Sequence, residues 1–128
     1  MEALSGNHFF YMRAIYEAKK PVCTEECVRL VYELYGIKHS SSTAKTIISD
    51  LILKGYVSNS YRAIKHRRRT FYSPVHPIGE FYLCQLQDFF DKTFLGNKTE
   101  LMEYIPFIGD PDEEEPIVEE LPFPDDCI

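Results

Sequence analysis

The feature that most constrains this chain is a change of hydrophobic period at Gly55. Before it, Ala44, Ile47, Ile48, Leu51 and Ile52 recur at steps of three and four, which places them on one side of an α-helix. After it, residues 56–61 and 70–73 carry the short aromatic and polar runs of two strands, and Pro74 ends the second. A helix closed by glycine and followed at once by a hairpin narrows the range of architectures sharply.

The upstream residues narrow it further. Residues 5–20 predict a first helix, with Phe9, Met12, Ala14, Ile15 and Tyr16 in its apolar stripe and Pro21 as its stop. Val22 and Cys23 suit a very short strand. Thr24 is the expected N-cap of a second helix, with Glu25 and Glu26 in its first turn, where the macrodipole favours acids. Cys27, Val28, Val31 and Leu34 give that helix its apolar side, and Gly36 ends it. Ser40, Ser41 and Ser42 offer caps for the third helix. Three helices followed by a two-stranded hairpin is the order of a winged helix-turn-helix, mainly α with a small β-hairpin.

Residues 78–95 predict a fourth helix rich in aromatics, and Asn97 with Glu100 forms a capping-box pattern that opens a fifth helix through Tyr104. Beyond Pro106 the chain is rich in proline and acids and has no base, the composition of a disordered tail. The expected organisation is a winged helix DNA-binding domain over residues 1–76, a helical dimerisation arm over 77–105 and an acidic tail over 106–128. Leu83, Leu86, Phe90 and Phe94 share one face of the fourth helix with Phe89 beside it, a surface suited to a second copy across a two-fold axis.

The net charge of −6 over 128 residues divides unevenly. All 14 Lys and Arg fall at or before Lys98 with nine of the 20 acids, so residues 1–98 carry +5 and residues 99–128 carry −11. A basic body suggests a nucleic-acid partner. No apolar run approaches the roughly 18 residues of a membrane span, and the first residues lack a signal-peptide n-region, so a cytoplasmic protein with no membrane partner is expected. Cys23, Cys27, Cys84 and Cys127 lack the close paired spacing of a zinc site and read as reduced thiols; no metal or cofactor is expected.

Two segments suit DNA. The outer side of the third helix offers Ser42, Thr43, Lys45, Thr46 and Ser49, small polar or cationic groups able to reach base edges and phosphates. The hairpin connector carries Lys65, His66, Arg67, Arg68 and Arg69, cations that a wing can lay against the duplex backbone or in the minor groove. No phosphate-binding glycine loop or catalytic set is present, so an enzyme is not expected. Two other readings stay open: a winged helix that binds proteins and not DNA, and a thiol- or metal-responsive regulator built on Cys23, Cys27 and Cys84.

Residues 40–57, from Ser40-Ser41-Ser42-Thr43 through Leu53-Lys54-Gly55-Tyr56-Val57, resemble the recognition-helix segment of the penicillinase repressor (BlaI/MecI/CopY) family. Arg69-Thr70-Phe71-Tyr72-Ser73-Pro74 is similar to the end of that family's wing, and Phe89-Phe90-Asp91-Lys92-Thr93-Phe94 to its dimerisation segment. The resemblance implies a homodimeric repressor on a pseudo-palindromic operator, released by an upstream sensor or protease. It also implies base- and phosphate-facing roles for Ser42, Thr43 and Thr46. Asp50 departs from it, standing where family members often carry a basic residue.

Overall fold

Local chemical signals set the ends of each helix. In a computed structural model that describes residues 1–109, α1 (Gly6–Ala18) is followed by Lys19 in the left-handed region, φ 58°, whose N–H closes on the Tyr16 carbonyl. The helix therefore stops before Pro21, through a left-handed cap and not through the proline. α2 (Thr24–Tyr35) takes Cys23 as its N-cap. Thr24, expected in that role, is instead the first helical residue and is buried. At the other end Gly36 adopts φ 71° and donates its N–H to the Tyr32 carbonyl at 2.8 Å, the expected glycine stop.

α3 (Ser41–Leu53) selects Ser40 from its three serines. The Ser40 Oγ accepts the Thr43 N–H at 3.1 Å and satisfies one of the open donors of the first turn. Ala44, Ile47, Ile48 and Leu51 turn inward from this helix and join Tyr11, Met12 and Ile15 of α1 with Cys27 and Val31 of α2. Each large side chain taken fully out of water contributes about 1.5–3 kcal/mol before entropy is counted, so this cluster is the main source of stability in the unit. Cys27 is part of it, and burial pushes its thiol pKa up to about 12.

The hairpin differs most from the sequence expectation. β1 (Val57–Ile64) and β2 (Arg67–Pro74) pair antiparallel over their full length, from Val57 opposite Pro74 to Ile64 opposite Arg67. The eight-residue connector expected over 62–69 shrinks to Lys65 and His66, both at positive φ (51° and 66°), as a tight type I′ turn requires. Arg62, Arg67, Arg68 and Arg69 are therefore strand residues on a paired ribbon. Val22 adds the short strand as one bridge, exchanging both backbone bonds with Tyr72 (3.0 and 2.7 Å).

The first compact unit is Met1–Phe81 and includes the start of α4 (Ile78–Thr93). Phe81 is fully buried there, with its ring 6.0 Å from Phe9 and 5.3 Å from Tyr16. A second unit begins at Tyr82 and holds the rest of α4, α5 (Lys98–Tyr104) and a 3-10 turn, Ile105–Phe107. The Asn97 side chain accepts the Glu100 N–H at 3.1 Å, while its own N–H goes to the Phe94 carbonyl at 2.9 Å. Pro106 and Phe107, expected in the tail, lie in the 3-10 turn. Residues 110–128, which hold the rest of the expected acidic tail and Cys127, lie outside the described residues.

Candidate nucleic-acid interface

Ser42, Thr43, Lys45, Thr46 and Ser49 are all exposed, on the side of α3 opposite its core residues. Two rows of four-residue steps run along this face, Ser42–Thr46–Asp50 and Lys45–Ser49–Leu53. Some of the hydroxyls are already engaged. Ser40 Oγ donates to Thr43 Oγ1 at 3.1 Å, and Thr46 Oγ1 donates to the Ser42 carbonyl at 3.2 Å. A threonine that has spent its proton on the backbone presents only lone pairs outward, so Thr46 offers an acceptor to a ligand.

Register sorts the ribbon arginines by face. Arg62 opposes Arg69 and Ile64 opposes Arg67, so these three arginines share one face. Arg68 opposes Ala63 on the other, the face that nearer the helices contributes Val57 and Tyr72 to the core. Two of the guanidinium groups rest on aromatic rings: Arg68 lies 3.6 Å from the Tyr61 centroid and Arg62 lies 5.3 Å from that of Phe71. Such stacking holds a long side chain extended while its N–H donors stay available at the edge.

Helix and ribbon converge on one cleft. A cavity of about 230 Å³ is lined by Cys23, Thr24, Glu25, Lys45, Arg68 and Arg69 among others. The Glu25 carboxyl is held below the usual carboxylate range by its own backbone N–H at the start of α2, then by the Cys23 thiol, Arg69 and Lys45. Three of the cations singled out in the sequence, Lys45, Arg68 and Arg69, thus meet around one polar hollow. Lys65 and His66 lie apart from it, at the ribbon tip.

The sequence did not reveal the surroundings of Asp50. Its Oδ2 lies 2.6 Å from His8 Nε2 of α1 and 3.2 Å from Lys54 Nζ. The hydrogen bond from His8, followed by that from Lys54, holds the carboxyl below its ordinary range. Lys54 could be anticipated from its i, i+4 spacing. His8, 42 residues distant, carries no local signal.

The residues expected at a dimer interface lie in the second unit. Leu83, Leu86 and Phe89 are 69%, 62% and 53% exposed, and Phe90 and Phe94 are half-buried. Among the described residues, no group of three or more His, Cys, Asp or Glu is placed to hold a metal ion. No helix among them is long and apolar enough to cross a membrane.

Three helices, the third presenting a polar outer face beside a paired ribbon, define a winged helix arrangement: mainly α, with one two-stranded sheet. No family model matches the chain, and no curated protein matches it. Among solved structures it is similar to that of a protein from Thermoplasma acidophilum given the working title of transcriptional regulator. The two chains share 18% identity at a TM-score of 0.48, over 70% of this chain and 91% of the other.

Proposed function

We propose that the chain is a DNA-binding transcriptional regulator, acting as a homodimeric repressor on a pseudo-palindromic operator. The observation that carries this reading is the meeting of Lys45 from α3 with Arg68 and Arg69 from the ribbon, beside an exposed row of hydroxyls. In this reading α3 enters the major groove, where Ser42, Thr43, Thr46 and Ser49 approach base edges and phosphates. The ribbon lies along the duplex, with Arg62, Arg67, Arg68 and Arg69 on phosphates or in the adjacent minor groove and Lys65 and His66 at its tip. Leu83, Leu86, Phe89, Phe90 and Phe94 pair two copies so that two half-sites are read together, roughly 34–36 Å apart. The resemblance of residues 40–57 and 69–74 to the penicillinase repressor family supports the repressor role, and with it release by an upstream sensor or protease. No catalytic role is proposed.

Salt dependence tests the reading. Each phosphate neutralised steepens the fall of log affinity with log salt by about 0.9. Titrating fluorescent duplex with the full chain at several salt concentrations should give a steep slope. Arg69→Ala should make that slope shallower by about one for each phosphate that the guanidinium neutralises. Affinity that does not change with salt, or no duplex binding in dilute buffer, would overturn the proposal.

A further inference from the structure

Asp50 is the one acidic side chain on the outer rows of α3, completing the row Ser42–Thr46–Asp50. A bare carboxylate at that place would repel phosphate. This one is compensated on one oxygen only: Oδ2 receives His8 at 2.6 Å and Lys54 at 3.2 Å, while Oδ1 has no hydrogen bond or ion pair among the described residues. The carboxylate also borders a hollow of about 560 Å³ that Lys45, Thr46, Ser49 and Leu53 line from the same helix. Half of the group is fixed and half is open to a ligand.

We infer that Asp50 is a base-reading residue that selects cytosine through the exocyclic N4 amino group. The inference rests on the DNA-binding reading above and adds the identity of one base to it. An ionised carboxylate only accepts hydrogen bonds. In the major groove guanine offers the acceptors N7 and O6, thymine offers O4 and a methyl group, and adenine sets its N6 amino group beside the acceptor N7. Cytosine alone presents a donor with no acceptor beside it on the same base, so an oxygen held in place is favoured there. The acceptors of guanine and thymine repel it, and at adenine it gains N6 only against the repulsion of N7. His8 and Lys54 keep Oδ2 from rotating outward and offset the charge that would push the helix off the backbone. The face of α3 that includes Asp50 therefore specifies sequence, and the ribbon supplies affinity.

The test is selection from a randomised duplex library by the full chain, with sequencing of the bound fraction, for the wild type, Asp50→Ala and Asp50→Asn. Wild type should enrich cytosine at one position of each half-site. Asp50→Ala should lower that preference about tenfold, in line with the cost of removing one good hydrogen-bonded base pairing. Asp50→Asn, close in shape and still able to accept from His8 through its oxygen, turns its amide N–H donors outward. It should move the preference from cytosine toward a base edge of acceptors, guanine N7 and O6. Affinity for random duplex should hold or rise when the negative charge is removed. Unchanged base preference in folded Asp50→Ala and Asp50→Asn, with binding intact, overturns this inference and leaves DNA binding standing. A wild-type chain that enriches no sequence yet binds random duplex with steep salt dependence also overturns it alone. A wild-type chain that ignores duplex DNA altogether overturns both.

Discussion

Asp50 and Cys27 belong to the same unit, one on α3 and one on α2, and their surroundings move their protonation in opposite directions. Burial raises the Cys27 thiol pKa to about 12, so near neutral pH it is a protonated small hydrophobe and a poor nucleophile or metal ligand. Two donors on Oδ2 lower the pKa of Asp50. The sign for stability follows. A carboxyl whose folded pKa lies below its unfolded value of about 3.9 favours folding above that value, and the gain is lost as pH falls through the folded pKa. Urea unfolding should therefore find wild type more stable than Asp50→Asn near pH 6, with the gap narrowing below about pH 4 and closing at lower pH. A gap that stays constant with pH would place the contribution of Asp50 elsewhere. The sequence marked Asp50 only as an exception to a basic pattern. The carboxylate was readable, but the histidine that compensates it arrives from α1 through tertiary packing.

At the scale of the element, the ribbon shows why some strands are legible and others are not. Residues 56–61 and 70–73 alternate or cluster apolar groups because their inner ends touch the core at Val57 and Tyr72, and these could be read. Residues 62–69 touch no core, so their sequence carries no alternation, and the run of cations resembles a loop. Backbone pairing carried outward from the core end makes them strand. The α3 cap and its two faces were legible for the converse reason: both follow from contacts within four residues. The same pairing stores a repulsion. Arg62 stands directly opposite Arg69, and like charges facing each other across a ladder cost roughly 0.2–1 kcal/mol. Arg62→Thr removes the opposed charge but also the stacking of Arg62 on Phe71, two effects of similar size and opposite sign. Thermal stability should therefore change by less than about 1 kcal/mol. If the ribbon binds phosphate, the same variant should weaken duplex binding and make the salt slope shallower by about one. Unaltered DNA affinity and an unaltered salt slope would mean that this face of the ribbon does not meet the duplex.

At the scale of the whole molecule, the remaining question is what the second unit is for. The first unit buries Phe81 and closes its own core without the residues that follow. Leu83, Leu86 and Phe89 keep more than half of their surface exposed, with Met102, Tyr104 and Phe107 also exposed further along. Apolar groups gathered in one short segment mark a surface for association more often than ordinary solvent-facing surface. A second copy is the occupant that the dimeric repressor reading requires, since one winged helix reads only one half-site. The variant Leu86→Glu with Phe89→Glu places two charges on that surface while leaving Met1–Phe81 untouched. Sedimentation equilibrium should find wild type at twice the chain mass and the variant at the chain mass, with the helical content of the first unit retained. Binding to a duplex carrying two correctly spaced half-sites should fall at least tenfold, because the second half-site is no longer engaged at the high effective concentration that linkage provides. Binding to a single half-site should change little, since the variant leaves the α3 and ribbon residues in place. A wild-type chain at monomer mass, or a variant that remains dimeric, would assign this apolar surface to a different partner and leave each α3 to read its site alone.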